Sequence, residues 1–285
     1  MSTKQTNNSL VTMFKKLTPA EHTVTLLLIL TLVQALQIAL YKTGKDAIHF
    51  FLGAVLLVGV SLAIFWPLKR WLQPKKKSVN AWISTLMLFL VLSHDNHQFW
   101  TASALLLTLY LAKFGLQYQG KAIFNPIAFS IVSVTLLSFV VPSIHDPELV
   151  WAGLRANFTV SGFVLPVSLL MMVVSIIGNV RRIRRLPLAL SYLGTAFLLQ
   201  LVLDASISWL TFATATLFMG ALAVVEPRTS PVKRNQQIVY GVLAALLYVG
   251  FAHFKLPSAA MLSLCVANLG YFAYRWRAIT QSQSA

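Results

Sequence analysis

Two short segments concentrate the residues able to do chemistry in this chain. They are Gly120-Lys121-Ala122-Ile123-Phe124-Asn125-Pro126 and Glu226-Pro227-Arg228-Thr229-Ser230-Pro231. Each sets charge, amide or hydroxyl beside proline, directly ahead of a long apolar run. Asparagine and serine are favoured N-caps and proline suits the first helical position, so the spacing predicts that Asn125-Pro126 and Ser230-Pro231 each open a helix. A helix start presents free N–H groups and the positive end of the helix dipole, which suits an anion or an electron-rich carbonyl. Lys121 and Arg228 add cationic donors, and Glu226 adds a carboxylate that could tune or couple the site. Such a pair of starts could hold a phosphate, or a ring edge that gains negative charge on reduction. Two ordinary capped turns flanked by basic residues are the plainer reading.

The elements that must position these loops are apolar throughout. Of 285 residues, 57% are hydrophobic and only 11% charged, which excludes an ordinary soluble domain. A helix needs about 20 residues to cross the hydrocarbon layer. Runs of that kind recur at 22–40, 47–66, 79–93, 98–114, 124–143, 161–179, 187–203, 206–225, 237–253 and 257–274. They lack the alternation of barrel strands. The expected class is an all-α polytopic membrane protein with about ten spans.

Basic residues favour cytoplasmic loops. With the N-terminus inside, 19 of the 23 lysines and arginines fall on that side, and Lys42, Lys45, Arg155 and Lys255 fall outside. The net charge of +16 and the pI near 10.3 are then a sided distribution and need no nucleic-acid partner. The expected setting is a bacterial inner (plasma) membrane, multi-pass, with both termini cytoplasmic. No cleavable signal is expected ahead of the first span. Ser9 to Leu17 is weakly amphipathic, and Thr18-Pro19-Ala20-Glu21 reads as a capping box with proline at its first helical position. Cys265 alone excludes a disulfide scaffold or a cysteine-ligated cluster.

Ten spans divide into a cytoplasmic segment (1–21), a first five-helix repeat (22–143), an outer connecting loop (144–160), a second repeat (161–274) and a cytoplasmic tail (275–285). An odd number of helices per half makes the repeats inverted, as in many transport folds. Span 3 is short, and span 8 is loosened by Thr211, Thr214, Thr216 and Gly220, so the third and eighth helices are expected to be short or broken. Spans 5 and 10 each begin at a proline, Pro126 and Pro257.

His49, His94, His97, His145 and His253 fall at expected outer ends. No metal site is expected, and His94, His97 and His253 are the weak candidates for metal or haem ligands. The tryptophans cluster near span ends as an interfacial belt. Arg181-Arg182-Ile183-Arg184-Arg185 reads as a topology determinant open to anionic lipid or a soluble partner.

Gly120-Lys121-Ala122-Ile123-Phe124-Asn125-Pro126-Ile127-Ala128 resembles the (G)K-x-I-F-N-P-A-A signature of the NqrB/RnfD family. These are ten-helix membrane subunits of sodium-pumping NADH:quinone oxidoreductase and of Rnf complexes. Phe218-Met219 with Glu226-Pro227-Arg228-Thr229-Ser230-Pro231, then Gln236, Gln237 and Tyr240-Gly241, resembles the family's second signature. The resemblance implies a flavin-carrying electron-transfer subunit, with Lys121, Asn125, Glu226, Arg228, Thr229 and Ser230 as cofactor contacts. The Ser-Gly-Ala-Thr that receives covalent FMN in relatives has no counterpart here: Phe163 follows Ser161-Gly162. A non-covalent flavin, FMN or riboflavin before FAD, is therefore expected. No G-x-G-x-x-G or soluble domain offers an NAD(P)H site, so electrons would pass to or from a partner redox protein or a quinone in the lipid bilayer. The alternatives are a non-redox solute or ion transporter or channel on the same scaffold, and a haem-binding anchor.

Overall fold

The computed structural model describes residues 18–41, 44–72, 79–92, 99–147, 149, 158–160, 163–165, 167–203 and 209–284. Among them are ten α-helices: α1 (Pro19–Tyr41), α2 (Gly44–Leu72), α3 (Val79–Val91), α4 (Phe99–Phe114), α5 (Pro126–Ser138), α6 (Val167–Ser175), α7 (Leu186–Leu203), α8 (Trp209–Phe218), α9 (Arg234–His253) and α10 (Ala259–Ser284). Two of them run on into single π-helical turns, α6 through Ile176–Val180 and α8 through Met219–Ala223. The described residues also hold two short antiparallel strand pairs, β1 (Gln117–Tyr118) with β2 (Lys121–Ala122) and β3 (Phe158–Val160) with β4 (Phe163–Leu165).

Segments 19–40, 48–68, 186–203 and 234–253 are long and apolar enough to cross a membrane, and 99–114, 126–138 and 212–223 are apolar but shorter. The protein is thus all-α with helices suited to a lipid bilayer. Leu32, Leu36, Leu40, Val55, Leu198 and Val202 stand exposed on α1, α2 and α7. Such bands of large apolar side chains are stable only where they meet lipid or another apolar surface. The core runs between the helices through Leu27, Leu30, Leu88, Leu106, Ile131, Tyr192, Phe212 and Met261.

Packing follows a pattern that recurs along the chain. In the first half α1 lies on α3, α2 on α4 and α4 on α5; in the second, α6 lies on α8, α7 on α9 and α9 on α10. The halves meet chiefly through α5 with α10, and through α1 with α6.

Several boundaries differ from the sequence expectation. Residues 163–165 are strand where a helix was expected from 161, because Thr159, Val160 and Val164 favour extended backbone and the proline at 166 disfavours helix before it. Helix α5 stops at Ser138, well short of 143. Helix α10 runs to Ser284, so most of the expected tail 275–285 continues it. The amphipathic stretch 9–17 and the histidines at 94 and 97 lie outside the described residues.

Candidate functional site

The capping box forms as expected. The Thr18 backbone N–H donates to Glu21 Oε2 at 2.8 Å, and the Glu21 N–H donates back to Thr18 Oγ1 at 3.3 Å. This fixes the start of α1 with Pro19 as its first residue.

The first motif loop folds as a tight hairpin followed by a capped helix. Gln119 and Gly120 both take left-handed backbone conformations, φ 50° and 74°, as a two-residue turn joining β1 to β2 requires. Asn125 is the N-cap of α5. Its Oδ1 accepts from the N–H groups of Ile127 at 3.0 Å and Ala128 at 3.1 Å. The second loop is a turn wound around one carbonyl. The Glu226 carbonyl accepts from the Ser230 N–H at 3.1 Å and the Ser230 hydroxyl at 2.8 Å. Thr229, also buried, donates its N–H to the same oxygen at 3.2 Å. Ser230 is thus spent on the turn. Helix α9 begins at Arg234, with Lys233 as an N-cap that makes no side-chain bond, in place of the expected Ser230 cap.

The two loops touch. The Asn125 side-chain Nδ2 donates to Glu226 Oε2 at 2.9 Å and to the Ala223 carbonyl at 3.1 Å. Arg228 Nη2 reaches the Gly120 carbonyl at 3.4 Å. The π-turn contributes here: it pairs the Val224 N–H with the Met219 carbonyl five residues back, shifting the register of the last carbonyls of α8.

Asn125, Glu226 and Arg228 lie on the wall of a cavity of about 440 Å³. The first half adds Thr18, Thr23, Ser84, Lys113 and Ile127 to this wall, and the second adds Asn179, Ile183, Leu222 and Val225. The starts of α1 and α5, the middle of α3 and the ends of α4, α6 and α8 therefore surround one space. Of the six expected contacts, three line it. Thr229 and Ser230 brace the Glu226 turn from behind, and Lys121 is exposed on β2, outside the wall.

Sequence reasoning missed Lys113, Ser84 and Asn179 as site residues. Lys113 occupies the last turn of α4, is only 4% exposed, and donates from Nζ to Ser84 Oγ at 2.6 Å. Asn179, in the π-turn of α6, donates from Nδ2 to Thr23 Oγ1 at 2.7 Å, while its Oδ1 is buried without a hydrogen-bond partner. Lys113 was legible only as one more basic residue. A lysine inside the last turn of an apolar run was the available signal.

Glu226 as a residue is half-buried, but its carboxyl end is withdrawn from solvent. Burial pushes that carboxyl above its ordinary value, against the opposing pull of the Lys113 and Arg228 cations and the Thr229 hydroxyl. The wall thus combines two cations, a carboxyl group that holds its proton more tightly than usual, and one unfilled acceptor, over an apolar floor. Its volume falls within the roughly 300–1,000 Å³ of small-molecule sites. Among the described residues no three His, Cys, Asp or Glu side chains converge as metal ligands, and His253 is exposed at the end of α9.

The sequence matches no family model, and no curated protein matches it.

Proposed function

We propose that this chain is a flavin-binding, multi-pass inner-membrane subunit, similar to NqrB/RnfD, that passes electrons between the cavity's cofactor and a quinone or a partner redox protein. The observation that carries this reading is the Asn125 Nδ2 to Glu226 Oε2 hydrogen bond at the cavity wall. It joins the two motif loops, 101 residues apart, which the family resemblance assigns to one cofactor.

The residues present fit a flavin ring. A flavin supplies one- and two-electron exchange through a flat, mostly apolar ring with a polar edge. Ile83, Met87, Ile127, Ile183, Leu222 and Val225 offer apolar surface for the ring body. Lys113 and Arg228 supply cationic donors for an edge that becomes negative, and the unfilled Asn179 Oδ1 would accept from a ring N–H. Glu226 can hold a proton beside that edge, and Asn125 fixes its carboxylate. Lys121 stands outside the wall, and Thr229 and Ser230 act by shaping the Glu226 turn.

Ten alternating spans in two inverted repeats complete the proposal. The recurrence of helix neighbours between α1–α5 and α6–α10 supports the repeat. The meeting of the starts of α1 and α5 with the ends of α4, α6 and α8 at the cavity supports alternation across a membrane. The bias of basic residues supports a cytoplasmic position for the cavity end.

A second reading, a solute or ion transporter on the same scaffold, draws on Lys113 and Glu226 facing a cavity between the halves. One experiment separates them. Protein purified in detergent should carry or take up a flavin with its visible absorbance. Proteoliposomes of the same sample that move solutes with no flavin bound would favour transport.

A further inference from the structure

A second charged site lies where the end of α6 turns into α7, beyond Asn179 and Ile183 of the cavity wall. The turn is fixed by three backbone bonds: Ile183 N–H to the Asn179 carbonyl at 3.0 Å, Arg184 N–H to Arg181 at 3.1 Å, and Arg185 N–H to Val180 at 3.0 Å. Arg184 takes a left-handed conformation, φ 58°. The outcome is that Arg181, Arg182 and Arg184 are exposed while Arg185 is turned inward and only 5% exposed.

Arg185 is buried, and among the described residues no carboxylate pairs with it. Its Nε has no hydrogen-bond partner. Burial lowers its proton affinity, and the one side chain that opposes this is Tyr271. The Glu226 carboxyl acts on Lys113 and Arg228. A buried guanidinium with no anion is costly, and a bound anion would relieve that cost.

The neighbourhood is suited to an oxyanion. The Tyr271 hydroxyl lies in the field of both Arg185 and Arg275, and Arg275 sits 5.8 Å over the Tyr271 ring. One helical turn back on α10, Asn268 accepts from the Tyr240 hydroxyl at 2.5 Å, and its buried Nδ2 donor has no partner. Gln237 of α9 spends its Nε2 on the Arg184 and Val232 carbonyls, which ties α9 to the same turn and leaves its Oε1 unpartnered. Guanidinium groups bind phosphate oxygens through paired N–H donors.

We infer that Arg185 and Arg275, both neighbours of Tyr271, form a binding site for a phosphate-class anion, the phosphodiester of an anionic lipid headgroup or a free phosphate group. The site is independent of the flavin reading, since none of its residues lines the cavity.

The test uses the full chain in neutral detergent and follows its unfolding midpoint by tryptophan fluorescence. Phosphatidylglycerol and inorganic phosphate are added separately to wild type, Arg185→Gln, Arg275→Gln and the exposed control Arg182→Gln. We expect a rise of about 5 °C or more in wild type and the control, lost in Arg185→Gln and reduced in Arg275→Gln. Stabilisation by the lipid alone identifies a headgroup site, and stabilisation by inorganic phosphate identifies a site for soluble phosphates. The inference is overturned if neither anion stabilises wild type, or if the Arg275 variant responds as wild type does. Because Arg275→Gln alters a half-exposed residue, it decides the matter even if Arg185→Gln does not fold.

Discussion

Asn125 Nδ2 lies 2.9 Å from Glu226 Oε2, and the same asparagine caps α5 through its Oδ1. One side chain therefore fixes a helix start in the first half and a carboxylate in the second. Asn125→Ala removes the cap and leaves the Glu226 carboxyl and the Ala223 carbonyl short of a donor. The expected cost is about 2–4 kcal/mol, measured by thermal or denaturant unfolding in detergent. Asn125→Asp keeps the capping oxygen but sets a second carboxylate against Glu226. It should be the worse of the two at neutral pH and recover on acidification, whereas equal losses at every pH would contradict the contact.

Glu226 gives stability a pH dependence of definite sign. Its native carboxyl holds a proton above the ordinary value of 4.5, so the folded state binds that proton more tightly than the unfolded chain does. The contribution is present below the ordinary value and is lost as pH rises through the raised one. Unfolding midpoints recorded upward from about pH 4 should show this fall. Glu226→Gln, always neutral and still able to accept from Asn125, should flatten it. An unchanged slope in the variant would remove Glu226 as its source.

Gly241 marks a close approach of α9 to α7. A Cβ there would stand 2.2 Å from Ser191 Oγ and 2.7 Å from the Leu188 carbonyl. The backbone oxygen cannot move aside, so Gly241→Ala should destabilise by about 1–3 kcal/mol or more. At Gly220 the new atom would meet only the flexible Leu193 side chain at 2.9 Å, and the cost should be smaller. Parallel unfolding curves check the order of the two variants.

Much of this architecture is legible in the residues, and the exceptions have physical causes. Thr18-Pro19-Ala20-Glu21 and Asn125-Pro126 read directly as helix starts, because capping is local chemistry over three or four residues. Ser230-Pro231 has the same form, yet Ser230 turns its hydroxyl back onto the Glu226 carbonyl, and that competition within a turn is invisible to a spacing rule. The junction of the two loops cannot be read from sequence, since it depends on a contact across 101 residues. Asn179 and Lys113 join the site through a π-turn and a helix end, features that periodicity does not mark.

Asn179 offers an acceptor that nothing in the structure fills. Asn179→Ala removes its 2.7 Å bond to Thr23 and should cost about 1 kcal/mol of stability. Its effect on flavin affinity should exceed that, on the order of tenfold, because the ring N–H loses its acceptor. Asn179→Asp, which keeps an oxygen at the position, should retain more of the affinity.

Whether a flavin occupies the cavity where the two loops meet is decided by a fluorescence-quenching titration of the detergent-purified protein with riboflavin, FMN and FAD. The account predicts saturable binding of one flavin per chain, weakened about tenfold or more by Lys113→Met and left unchanged by Lys121→Ala, which lies outside the wall. Absence of both co-purified flavin and saturable binding, or binding indifferent to Lys113, would contradict it.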